Sequence, residues 1–104
     1  MTNIVPLERV PSNVEAERII KKLVELGEIS WTKHCKERMK QRDITIQQII
    51  NCLTRGTITE SPFFTYKNGG GYEMCVERIV AGEWLKVVIC LKLTQKMLVI
   101  TAIN

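Results

Sequence analysis

No apolar run in this chain approaches the ~20 residues needed to cross a bilayer. The N-terminus also lacks the basic-then-apolar order of a secretory leader, so a soluble, cytoplasmic protein is expected. There is no C-x-x-C pair, and a single histidine, His34, leaves no Cys/His set for zinc. No metal or cofactor is therefore expected. Low-complexity segments and internal repeats are missing too, which excludes a linker-rich or solenoid protein. What remains is 104 residues of ordinary apolar content, enough for one modest core.

The four cysteines, Cys35, Cys52, Cys75 and Cys90, each lie in apolar or alternating surroundings and read as reduced core residues. Cys35 adjoins His34, but neighbours on a helix point about 100° apart, which argues against a Cys–His dyad. The net charge is +4, and Lys33 through Arg42 is its densest part, with five basic residues against one Glu. Such a stripe suits a polyanion such as RNA.

Residues 1–12 hold two prolines and read as an extended arm. Ser12-Asn-Val-Glu15 has the form of a capping box, and Val14, Ile19, Ile20, Leu23, Val24 and Leu26 continue as a helical apolar stripe closed by Gly27. Ser30 or Thr32 caps a second helix that ends around Arg42-Asp43. Thr45-Ile-Gln-Gln48 is a second capping box, followed by Ile46, Ile49, Ile50 and Leu53 at helical spacing, with Gly56 closing the third helix.

The period then changes. Thr57–Glu60 and Phe63–Tyr66 read as short strands, and Asn68-Gly-Gly-Gly71 as a turn. Over Tyr72–Val80, Tyr72, Met74, Val76 and Val80 share one face, with Glu73 and Glu77 on the other. After a tight turn at Ala81-Gly-Glu83, Trp84–Leu93 and Met97–Ile103 are β-rich. The fold class expected is α+β, with N-terminal helices packed on one face of an antiparallel, roughly four-stranded twisted sheet.

The chemistry concentrates at His34, Arg38 and Arg42, spaced four apart. On a helical wheel at about 100° per residue with Trp31 at zero, Cys35 and Met39 fall at about 40° and 80°. His34, Arg38 and Arg42 fall at about −60°, −20° and +20°, on the inward side, while the lysines face water. Arginine turned toward a domain's body needs an internal carboxylate or an anionic ligand. The structural alternative is that Arg38 and Arg42 pair with Glu73 or Glu77, and that His34 is a satisfied, half-buried histidine.

The segment Trp31-Thr-Lys-His34-Cys-Lys-Glu-Arg38-Met-Lys-Gln-Arg42-Asp-Ile-Thr45, then Leu53-x-x-Gly56-x-Ile58-x-Glu60 and Leu98-Val-Ile-Thr101-Ala, resembles a bacterial domain-of-unknown-function family. Its members are small helix-then-sheet proteins with an H-x-x-x-R-x-x-x-R helix and a terminal V-I-T strand. That family resembles in turn the RelE-like and MqsR-like mRNA interferase toxins, in the fold shared by barnase and the colicin nucleases. The family often has glycine where Asp43 stands, and aspartate tolerates the same left-handed turn. The resemblance covers residues 30–104 as a toxin-like domain and leaves residues 1–29 as an arm and an extra helix. That extra helix has two uses open to it: covering the active face or building a homodimer interface.

The resemblance implies a metal-independent endoribonuclease of a type II toxin–antitoxin system that cleaves RNA by 2′-hydroxyl attack, held silent by a cognate antitoxin. Its partners would be RNA, including mRNA on the ribosome, and no membrane. Histidine moves protons near neutral pH, so His34 is the acid or base. Arg38 and Arg42 would clamp phosphate through fork-like donors. Thr101 matches the terminal-strand threonine and supplies a hydroxyl, although a β-branched residue also suits strand packing. Lys86, Tyr72 and Trp84 are candidate substrate contacts, Trp84 by stacking on a base; each also has an ordinary structural use. The alternative function is a non-catalytic RNA- or protein-binding module of the same fold.

Overall fold

The computed structural model describes residues 3–104. In chain order the elements are α1 (Asn13–Leu26), β1 (Ile29–Trp31), α2 (Lys33–Gln41), α3 (Ile46–Arg55), β2 (Thr57–Thr65), a short 3-10 turn (Lys67–Gly69), β3 (Gly71–Val80), β4 (Glu83–Lys92) and β5 (Lys96–Ile103). The strands form one sheet in the order β1-β5-β4-β3-β2. The α+β class holds, but the sheet has five strands and is mixed. β1 lies parallel to β5, with Ile29 opposite Met97 and Trp31 opposite Val99. Three residues are too few to show a period of two, which is why Ile29-Ser-Trp31 gives no strand signal in the sequence.

Both capping boxes form. The Ser12 hydroxyl accepts from the Glu15 N–H at 3.1 Å while the Glu15 carboxylate accepts from the Ser12 N–H at 3.2 Å. Thr45 and Gln48 repeat the exchange at 3.1 and 2.8 Å. The apolar stripe of α1 is Ala16, Ile19, Ile20 and Leu23, all buried. Val14 and Leu26, expected in that stripe, are exposed. Ala16 precedes Ile19, Ile20 and Leu23 by three, four and seven positions, so it falls on their side of the helix where Val14 does not.

Glu15 also accepts from the guanidinium of Arg9. Those hydrogen bonds, followed by the one from the Ser12 N–H, hold its carboxyl down at about 2, against an ordinary 4.5. A depressed carboxyl stabilises the fold above its unfolded value and loses that contribution as pH falls through the folded value. The thermal midpoint should therefore fall as pH drops from about 4.5 to about 2. Glu15→Gln keeps the capping geometry but cannot titrate, so thermal melts of this variant over the same range should show a flatter decline. Equal slopes for the two proteins would reject the assignment.

α1 and α3 pack against the sheet face that carries Tyr72, Met74 and Val76 of β3, Val87, Ile89 and Leu91 of β4, and Met97, Val99 and Ala102 of β5, all buried. The segment expected to be an extended arm joins this core, residues 1 and 2 lying outside the described ones. Val5 is fully buried, its N–H and C=O are both bonded by the Gln95 side chain, and the Tyr72 hydroxyl donates to the Pro6 carbonyl at 2.7 Å. The two short strands expected over residues 57–66 are one strand, β2, with irregular register on either side of Glu60. Pro62 sits there on an edge strand, the place where a missing N–H is tolerated. All four cysteines are free and buried.

Between β3 and β4 the turn is two residues, Ala81 and Gly82, both at positive φ, as a primed hairpin turn requires. β5 carries an extra residue at Ile100, since Val88 and Ile89 of β4 pair with Thr101 and Val99. This bulge keeps Ala102 on the core face and leaves Thr101 on the opposite one.

Candidate functional site

α2 is short, and it is placed by β5 rather than by its own sequence. Its N-cap is Thr32, whose N–H donates to the Val99 carbonyl at 3.1 Å and whose hydroxyl donates to the Ile100 carbonyl at 2.6 Å. The same hydroxyl accepts from the Cys35 N–H at 3.0 Å and so closes the first turn. At the other end Arg42 is the C-cap, Asp43 takes the left-handed conformation at φ 53, and the Asn104 side chain donates to the Arg42 carbonyl at 3.2 Å. The helix therefore lies alongside the last residues of β5, pinned at both ends.

This placement corrects the expected inward row. Trp31 belongs to β1 and Arg42 lies past the last helical residue, so neither is part of the wheel. Cys35 is fully buried and Met39 half-buried, and these define the inward side. Of the three special residues only Arg38 shares that side, half-buried; His34 is exposed in the first turn and Arg42 is exposed at the C-cap. His34 and Arg42 are separated by about 12 Å of helical rise.

Neither Glu73 nor Glu77 pairs with Arg38 or Arg42 among the described residues. Instead the Nε of Arg38 is buried with no partner among the described residues, and so is the hydroxyl of Thr101 on the adjacent strand. An orphaned buried polar atom costs about 1–3 kcal/mol. Such groups persist in native folds chiefly where something else satisfies them.

The sheet face opposite the helices carries a second polar group whose members satisfy one another. Register places Glu77 across from Lys86, and Cys75 between Glu60 and Val88, with Thr101 next in the same row. Glu60 accepts from the Cys75 thiol and pairs with Lys86 at 3.6 Å. Glu77 accepts from the Thr59 hydroxyl and from the Trp84 indole, the latter at 2.7 Å. The thiol bond and then the Lys86 charge hold the Glu60 carboxyl below its usual range. Burial, and then Glu60, push the Cys75 thiol up to about 12, which keeps it protonated and unreactive at neutral pH. Lys86 and Trp84 thus lie on this open face, already partnered. Tyr72 does not join them: it is 2 % exposed on the core face with its hydroxyl bonded to Pro6, so it has no access to a substrate.

Arg42 belongs instead to a cleft of about 760 Å³ between the α2–α3 turn, α3, the β3–β4 hairpin and the C-terminus. Gln48, Asn51, Arg78 and Trp84 line the same cleft. Among the residues lining it, the Oδ1 of Asn51 and one Nη of Arg78 are buried with no partner among the described residues. These two were missed in the sequence. Arg78 did leave a signal there, being a charged residue in the inward phase of β3, where Tyr72, Met74 and Val76 are all buried. Asn51 left none. No cluster of three or more His, Cys, Asp or Glu suited to a metal occurs among the described residues.

No curated protein and no solved structure matches the chain significantly. One family model does match, over residues 31–104, from the end of β1 through α2 to the last strand. The match takes in the whole α2–β5 unit and the cleft residues, and leaves out α1, although α1 packs into the same core. By that match the chain belongs to the family described as Domain of unknown function, DUF4258.

Proposed function

We propose that the protein is a toxin-like endoribonuclease, of the kind found in type II toxin–antitoxin pairs, that cleaves RNA by attack of the 2′-hydroxyl on the adjacent phosphorus. The observation that carries this reading is the α2–β5 unit: an exposed histidine in the first turn of a pinned helix, beside an arginine and a threonine whose buried polar atoms lack partners. The backbone N–H groups of that first turn favour a phosphate in the same place. In the reaction His34 takes the 2′-hydroxyl proton as the oxygen bonds to phosphorus. Arg38 and Thr101 donate to the phosphoryl oxygens, and the P–O5′ bond breaks with the 5′-oxygen taking a proton from water. The products are a 2′,3′-cyclic phosphate and a 5′-hydroxyl. The H-x-x-x-R-x-x-x-R helix and the V-I-T strand are those of the family, and the resemblance of that family to RelE-like and MqsR-like toxins favours the same reading, and with it a cognate antitoxin as protein partner.

Purified protein free of any partner should cleave single-stranded RNA in the presence of a chelator and leave the all-2′-deoxy strand intact. Thr101→Val separates function from structure. Removing a buried hydroxyl with no partner should leave the melting temperature unchanged or raise it, while cleavage falls by roughly tenfold, the value of one hydrogen bond. Binding of RNA without any cleavage would favour the non-catalytic module instead.

A further inference from the structure

The cleft beside the α2–α3 turn has chemistry of its own. Its two arginines, Arg42 and Arg78, are matched by Asp43 and Glu83, so it is balanced in charge rather than a bare anion hole. Its two unpartnered atoms are one donor, on Arg78, and one acceptor, on Asn51. A phosphate or a carboxylate satisfies the first and repels the second. A flat, neutral group with donors and acceptors on its edge satisfies both, and every nucleobase is such a group. The volume lies within the range of small-molecule sites.

We propose that this cleft is a nucleobase pocket: Asn51 and Arg78 read the edge of one base of the bound strand, and Arg42 lies between that base and the His34 end of α2. Its substrate class rests on the RNA-cleaving reading above. The helix sets the spacing, since about 12 Å from His34 to Arg42 spans about three to four stacked nucleotides, and fewer if the strand is extended. The base read therefore lies a few positions from the cleaved one, and the pocket sets sequence preference rather than rate.

The test titrates each of the four nucleoside 5′-monophosphates into the wild-type protein while the side-chain amide signals of Asn51 and Gln48, which both line the cleft, are followed by NMR. At least one nucleotide should shift the Asn51 and Gln48 side-chain amides at millimolar concentration while leaving the Trp31 indole N–H in place. Asn51→Ala and Arg78→Met should weaken that binding about tenfold or more. With cleavable RNA, the same variants should flatten the base preference near the cleavage site. If no nucleotide moves the Asn51 or Gln48 amide, or if inorganic phosphate alone reproduces the shift, the pocket is wrong even where RNA is cleaved. Nucleotide binding in a protein that cleaves no RNA sustains the pocket and removes the ribonuclease.

Discussion

His34→Ala should lower RNA cleavage by about 10²–10⁴-fold, the range for loss of a proton-transfer group. It should do so with an unfolding free energy within about 0.5 kcal/mol of wild type. The second half of this expectation makes the first informative. His34 is exposed, and no hydrogen bond or ion pair holds its side chain among the described residues. α2 is anchored by Thr32 and Asn104 instead, so the histidine adds little to the fold. Alanine is also the better helix former. Arg38→Ala should lose about 10²–10³-fold, as expected for one donor to a crowded phosphate. Arg42→Ala should lose less, because its side chain lines the cleft and not the His34 end of the helix. Full cleavage by His34→Ala protein would remove the assigned site, and toxicity unchanged in both His34→Ala and Arg38→Ala cells would do the same in vivo.

The second large effect is on stability, at Gly56. Two glycines close helices in this chain, and by spacing they look equivalent. Gly27 has φ 70 with open space around it, so alanine there meets only the left-handed backbone penalty of about 1–2 kcal/mol. Gly56 has an extended backbone, φ −80 and ψ −176, which any residue adopts. Its constraint is contact. A Cβ on Gly56 would stand 2.7 Å from the Glu77 carbonyl and 3.0 Å from a Val76 methyl, and closer still to the Cys52 carbonyl. Two of these are backbone atoms of the helix end and of β3, neither of which yields without moving an element. Gly56→Ala should cost about 3 kcal/mol, as overpacking does, and more than Gly27→Ala. Urea unfolding of the two variants decides the order. A smaller loss at Gly56 would mean that α3 and β3 are not in contact as described.

The open-face carboxylates Glu60 and Glu77 are each already bonded by their neighbours. That cluster ties β2, β3 and β4 together. The groups left free for a ligand are elsewhere, on α2, on β5 and in the cleft.

Much of this protein was legible in the chain itself. Both capping boxes, the period change after Gly56, the alternation of β3 and the left-handed turn at Asp43 depend on residues within a few positions of one another, and local backbone chemistry settles them. His34 stood out as the only histidine. The tertiary structure decided the rest. Thr32 and Arg42 are the caps of α2, one of the two starts open in the sequence and the end expected there. Which side of that helix meets the sheet, with Cys35 inward and His34 outward, is decided by its packing on β5. Arg78 and Asn51 come from a strand and a helix that meet only when α3 packs on the sheet. Periodicity reports which face a residue occupies. Which buried donors and acceptors remain unpaired depends on everything that folds against them, and that is a property of the packed chain alone.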